Sequence, residues 1–239
     1  MELFANEGKQ IDVVVNGVSY PRHTIKTRFI TPNESYLGLI EQYVLPHFER
    51  GDVLFSASKI VSIASGNVID PDTIKVTPLA RWLSSKVDAD LQKGAGVGVP
   101  LKMQYAIDTV GVPRILLGAA AAVIGKVIFR RKGWFYVVTG PKVVGIDGLG
   151  DDYGDPDEFH RQGIPLPDNA QELSDEVLVK LGIPLVITDI NDFGGSILAI
   201  SKSLLAQKTK NELHDLVRDN PFGQGHQQTP FVLVKGVFA

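Results

Sequence analysis

At 239 residues and 26.0 kDa, with 44% hydrophobic and 21% charged residues, the chain suits about one large or two small folded domains and excludes disordered, collagen-like and coiled-coil readings. Its 24 basic residues against 27 acidic ones leave a net charge of −3, which removes the broad basic surface that non-specific nucleic-acid binding needs. The lack of cysteine removes disulfide frameworks, thiol nucleophiles and thiolate zinc sites.

The opening residues, Met1-Glu-Leu-Phe-Ala-Asn-Glu-Gly8, have neither a basic n-region nor a continuous apolar h-region, so a cytoplasmic protein is expected. Ile11 to Val15 and Val18 to Tyr20, split by Asn16-Gly17, predict a tight hairpin, because Asn-Gly readily takes the positive φ of a two-residue turn. We read it as a decoration, an extension over 1–24 ahead of a domain over 25–239. From Pro32 to Phe48 the spacing of Tyr36, Leu39, Ile40, Tyr43 and Val44 predicts a helix, with Asn33 or Ser35 as its cap. After the turn at Gly51-Asp52, Val53 to Ser58 with Ile60-Val61 reads as a buried strand that the chain leaves over Ser62 to Gly66, and Asn67 to Ile69 as another short one.

Thr77-Pro78 opens a helix that runs to Val87, Lys93 to Gly98 is a loop, and Leu101 to Val110 is a second helix. Ile115 to Val123 is apolar on every side and fits strand or helix. The wider stretch Ile115 to Phe129 is shorter than the ~20 residues of a membrane span, contains Lys126 and precedes Arg130, Arg131 and Lys132. It is assigned to buried core, and no membrane partner is expected. Trp134 to Val138 reads as a strand that leads through Val143-Val144 to the turn Gly145 to Gly150. Asp151 to Asp168, acidic and rich in Pro and Gly, reads as a long loop, a class of segment that is often functional. Asn169 to Leu181 is an amphipathic helix closed by Gly182, and Pro184 to Thr188 a buried strand ending at Asp189. Ser196 to Ile200 is a strand, Leu204 to Asp219 a helix, Asn220 to Thr229 a loop, and Phe231 to Val234 a final strand. This alternation predicts a mixed α/β (α+β) fold.

Asp147 and Asp189 each follow an apolar run, where strand-end carboxylates face the ligand crevice of open sheets. Two such carboxylates suit Mg²⁺ held together with phosphate oxygens, and the plainer reading is that each caps a turn or a helix. The loop Asn220 to Pro230, with Gly223, Gln224, Gly225 and His226, allows backbone amides to crowd around an anion but matches no P-loop or dinucleotide fingerprint. Lys59 is a candidate phosphate partner or a solvated surface lysine. Asp192-Phe-Gly194 is a decoy for a protein kinase, because the Gly-rich and catalytic-loop signatures are absent. The five histidines lack metal-ligand spacing and no Gly-x-Ser-x-Gly elbow occurs, which disfavours zinc enzymes and triad hydrolases. Asp151 to Glu158 lacks the spaced ligands of a calcium loop.

The order of several segments carries more than any one alone. Gly51-Asp-Val-Leu-Phe-Ser-Ala-Ser-Lys-Ile-Val-Ser-Ile-Ala-Ser-Gly66, Gly145-Ile-Asp147, Val186-Ile-Thr-Asp-Ile-Asn191, and Gly223-Gln-Gly225 closing on Thr229-Pro-Phe-Val-Leu-Val-Lys-Gly236 together resemble the coenzyme F420:L-glutamate ligase family over Ile25 to Gly236. The resemblance implies that family's mixed-sheet fold, usually as an intertwined homodimer. It also implies a reaction in which GTP and Mg²⁺ or Mn²⁺ serve to join L-glutamate to a small-molecule carboxylate through an acyl phosphate. It places Asp147 and Asp189 as metal ligands and catalytic residues, Gln224 as a further metal ligand, and Arg28, Phe29, Ile30, Thr31, Ser58, Lys59, Gly223, Gln224, Gly225 and His226 around the nucleotide. The chain departs from the family where Ile63 stands in place of a phosphate lysine. It departs again where Ile190-Asn191-Asp192-Phe193 replaces a Thr-Asn-Gly-Arg run. These departures motivate one alternative, a nucleotide-binding regulator without turnover, and a further alternative is a phosphotransferase or phosphatase using the same metal pair.

Overall fold

A computed structural model describes residues 4–87, 96–150, 161–192, 194–223 and 227–238. The protein is a mixed α+β fold divided into two compact units, Met1–Asn67 with Pro167–Ala239, and Val68–Leu166. The first unit holds a six-stranded mixed sheet. Its strands are β1 (Asp12–Val15), β2 (Val18–Ile25), β3 (Val53–Ala57), β6 (Leu185–Asn191), β7 (Gly194–Ile200) and β8 (Phe231–Val234), in the order β1-β2-β8-β3-β6-β7. Only β3 and β6 pair in parallel, with Leu54 opposite Leu185 and Ala57 opposite Thr188. Asn16 and Gly17 turn the β1–β2 hairpin with φ of 51° and 79°. The hairpin is a working part of the sheet and not a decoration: β2 runs five residues past Tyr20 and pairs with β8, Arg22 opposite Val234 and Ile25 opposite Phe231.

Period-2 alternation explains the core of this unit. Val53, Phe55, Val232 and Val234 pack with Leu204, Leu213, Leu216 and Val217 on one side of the sheet. Leu54, Phe231 and Leu233 are equally buried, and the Tyr36 ring lies 6.3 Å from that of Phe231. Strands covered on both faces read as the continuous apolar runs seen in the sequence. Ser35 caps α1 (Tyr36–Tyr43) by accepting a 3.1 Å hydrogen bond from the Gly38 amide. After β3 the chain turns at once into α2 (Ser58–Ala64), which corrects the expected strand at Ile60-Val61. Helix α8 (Ala170–Leu181) is tied to β6 by Ser174, whose hydroxyl donates to the Leu185 carbonyl at 2.8 Å. The single helix expected over Leu204 to Asp219 is two short ones, α9 (Lys202–Leu205) and α10 (Lys210–Asp215), the second opened by a Thr209/Glu212 capping box.

The second unit is helical. It comprises α3 (Pro78–Ser84), α4 (Pro100–Val110), α5 (Val112–Val127), α6 (Trp134–Thr139) and α7 (Pro141–Val144), with a two-stranded pairing of β4 (Asp147–Gly148) and β5 (Gly163–Ile164). Its core gathers Ala80, Leu83, Met103, Ala106, Ile107, Ile115 and Val143. Trp134 to Val138 is helix and not the expected strand, because α6 packs on the glycines of α5. A Cβ on Gly118 would lie 3.2 Å from Phe135 Cδ2, and one on Gly125 2.9 Å from Trp134 Cγ. Such close packing overrides the β preference of an aromatic and β-branched run. Ile115 to Val123 is helical within α5, yet the stretch Ile115 to Phe129 is not buried core throughout: Ile115 is fully buried while Leu117 and Val127 are 65% and 73% exposed.

Candidate functional site

The pairing register of the first unit brings four separated segments to one end of the sheet. β3 and β6 are parallel and level, so Ser58 and Asp189 directly follow the opposed residues Ala57 and Thr188. β8 runs antiparallel to β3, so the loop leading into it arrives at the same end, and the Ala57 amide donates to the Pro230 carbonyl at 2.9 Å. β2 also ends there, and the Thr27 amide donates to the Gln228 carbonyl at 2.9 Å just before Arg28. Arg28 to Thr31, Ser58-Lys59, Asp189 and Gly223 therefore lie at the carboxyl end of the parallel pair, where open α/β sheets bind ligands.

Each residue enters differently. Ser58 is buried at the start of α2 and Lys59 beside it is exposed. Asp189 is half-buried near the end of β6. Gly195 of β7 lets the facing strand close over it, since a Cβ there would stand 2.2 Å from the Asp189 carbonyl oxygen. Ile30 is 4% exposed and belongs to the core, so only its backbone is offered, while Phe29 is partly exposed. Arg28 forms a bidentate ion pair with Glu34, and Glu34 also accepts from the Thr31 amide at 2.6 Å and hydroxyl at 2.8 Å. The Arg28 hydrogen bond, with those from Thr31, holds the Glu34 carboxyl down at about 2 against burial, and the same pairing raises Arg28. The arginine expected to meet a nucleotide is thus held by a carboxylate within its own segment.

The glycine-bearing loop is fixed by residues that the sequence analysis did not single out. Asn6 is buried, with its amide nitrogen 2.9 Å from the Pro221 and Phe222 carbonyls and 2.8 Å from Thr229 Oγ1. Thr229 donates in turn to the Phe222 carbonyl at 2.7 Å. Asn220, fully buried, donates to Asp192 at 3.0 Å and to the Gly223 carbonyl at 3.2 Å, and its Oδ1 has no hydrogen-bond partner among the described residues. Lys9 also donates to Asp192 at 3.0 Å, and these Asn220 and Lys9 bonds lower the Asp192 carboxyl. Gln224, Gly225 and His226 lie outside the described residues, as does Asp151 to His160 of the acidic loop.

Asp147 belongs to the second unit, exposed on β4, where it pairs with Ile164. Of the two expected aspartates, Asp189 is the one carried by the first unit, and among the described residues no group of three acidic or histidine side chains converges. Magnesium and manganese are commonly held by one or two carboxylates together with phosphate oxygens, so the strand-end Asp189 beside the Ser58 segment suits an ion that arrives on a nucleotide. A scan of protein-family models finds no match to this chain, and a search of curated proteins finds none either.

Proposed function

We propose that the protein is a nucleotide- and metal-dependent ligase, taking GTP with Mg²⁺ or Mn²⁺, that joins L-glutamate to a small molecule through that molecule's carboxylate. The observation that supports this most is the meeting of Arg28 to Thr31, Ser58-Lys59, Asp189 and Gly223 at the carboxyl end of β3 and β6. These segments are far apart in sequence, and those holding Ser58-Lys59, Asp189 and Gly223 are among the ones that carry the family resemblance. The metal, when bound, neutralises charge on the phosphates during transfer. The chain's own residues would bind and orient: Asp189 would hold the ion, Lys59 and Ser58 would meet phosphate oxygens, and Asn6 and Asn220 fix the backbone around Gly223 beside them. In the reaction the acceptor carboxylate attacks the γ-phosphorus and releases GDP. The glutamate amine then displaces phosphate from the acyl carbon and loses its proton, leaving an amide.

Calorimetric titration with GTP and ATP, each with Mg²⁺ or Mn²⁺, tests this on the wild type, Asp189→Asn and Asp147→Asn. Metal-dependent binding lost in Asp189→Asn is the expected result. Binding that ignores both substitutions overturns the site. A second reading, a nucleotide-binding regulator without turnover, is favoured by Ile63, only 6% exposed within α2 where the family carries a phosphate lysine, and by the pairing of Arg28 with Glu34. Nucleotide binding without phosphate release, across a panel of carboxylates with L-glutamate, would select it.

A further inference from the structure

One face of α5 is apolar and exposed along its whole length. Leu116, Leu117, Val123, Ile124 and Val127 are 45%, 65%, 62%, 44% and 73% exposed, and Ile128 just beyond the helix is 67% exposed. At 3.6 residues per turn these positions share an arc of about 140°. The opposite face, Ile115, Gly118 and Gly125, is buried, so the helix is packed on one side and greasy on the other. A continuous exposed apolar surface of this kind marks an interaction site.

Charge identifies what it meets. Between residues 109 and 146 the chain has six basic residues and no aspartate or glutamate, although the whole chain carries −3. Arg130, Arg131 and Lys132 follow α5 directly and are exposed, as is Phe129, whose ring stacks on Trp134 at 5.0 Å. We propose that this face of α5, with the Arg130-Arg131-Lys132 cluster at its end, docks the protein on an anionic lipid bilayer, the helix lying in the plane of the surface. Apolar side chains sink into the acyl boundary while the cations meet lipid phosphates, the two signals that together give stable peripheral attachment. The 16 residues of α5 span about 24 Å, and no single described helix is long and apolar enough to cross a membrane. The α4–α5 pair is bent by 119°. A second copy of this chain is the competing occupant, which the oligomeric state distinguishes.

Flotation of the full chain with phosphatidylcholine vesicles, with and without one-third phosphatidylglycerol, tests the docking. The expected result is binding to the anionic vesicles alone, weakened by high salt. Leu117→Glu with Val127→Glu should lower it about tenfold or more. Arg130→Gln with Arg131→Gln should lower it about 25-fold. Both pairs alter exposed positions, and unchanged thermal melts separate lost docking from lost folding. Equal binding to neutral vesicles overturns the proposal, as does no flotation at all. So does a dimer in sedimentation equilibrium that Leu117→Glu with Val127→Glu dissolves, which assigns the face to a second copy.

Discussion

Glu34 is a residue whose surroundings strongly alter its chemistry. Its carboxyl ordinarily titrates at 4.5, and Arg28 and Thr31 hold it at about 2 in the folded chain. The folded state therefore favours the ionised form, a contribution fully present above pH 4.5 and lost as pH falls toward 2. Replacing Glu34 by glutamine should remove it. The gap between wild-type and Glu34→Gln melting temperatures is expected to narrow steadily over that window, and a gap that stays constant would refute the assignment. Glu34 was within reach of sequence reasoning, since Thr31 and Glu34 have the Thr-x-x-Glu spacing by which a glutamate returns to a backbone amide. Asn6 was not: its partners Pro221, Phe222 and Thr229 lie more than two hundred residues away, and no local pattern points to them.

Among the elements, those with caps and a clear period were legible. Ser35 before α1, Thr77 before α3 and Gly182 after α8 stand where local hydrogen bonding or a positive φ requires them. α6 was illegible because its residues prefer strand and its helical state is imposed by the glycines of α5. That dependence is testable. A side chain at Gly125 would press on Trp134 and on the Arg131 carbonyl, which stands 3.1 Å from the Cβ position. Gly125→Val is expected to cost about 1 to 3 kcal/mol in urea unfolding and to shift tryptophan fluorescence, whereas Ala120→Val on the exposed face stays within about 0.5 kcal/mol. Equal costs at the two positions would remove the packing explanation. The strand expected at Ile60-Val61 failed for a related reason: every residue of α2 but Lys59 is buried, and so short a buried run has no period that tells helix from strand.

For the whole molecule, the α+β class was legible from the alternation of apolar runs, but the arrangement was not. The sequence suggested an extension over 1–24, whereas β2 pairs along β8, and such partners are specified by contacts that no local window contains. Each unit has its own core, so core truncations should report separately. Phe55→Ala and Met103→Ala should each cost about 2 to 5 kcal/mol. Hydrogen exchange should show deprotection around residues 53–57 for the first and 103–107 for the second, and deprotection of both by either would contradict the division. The position of β8 also governs the order of events during synthesis. It follows every other described strand yet lies between β2 and β3, so on the ribosome the middle of the sheet stays open until β8 emerges. The β1–β2 hairpin and the helical unit can form as they leave the exit tunnel, whereas the edges of β2 and β3 wait unpaired. Nascent chains stalled before residue 231 should accordingly bind chaperones, and those released with β8 complete should let them go.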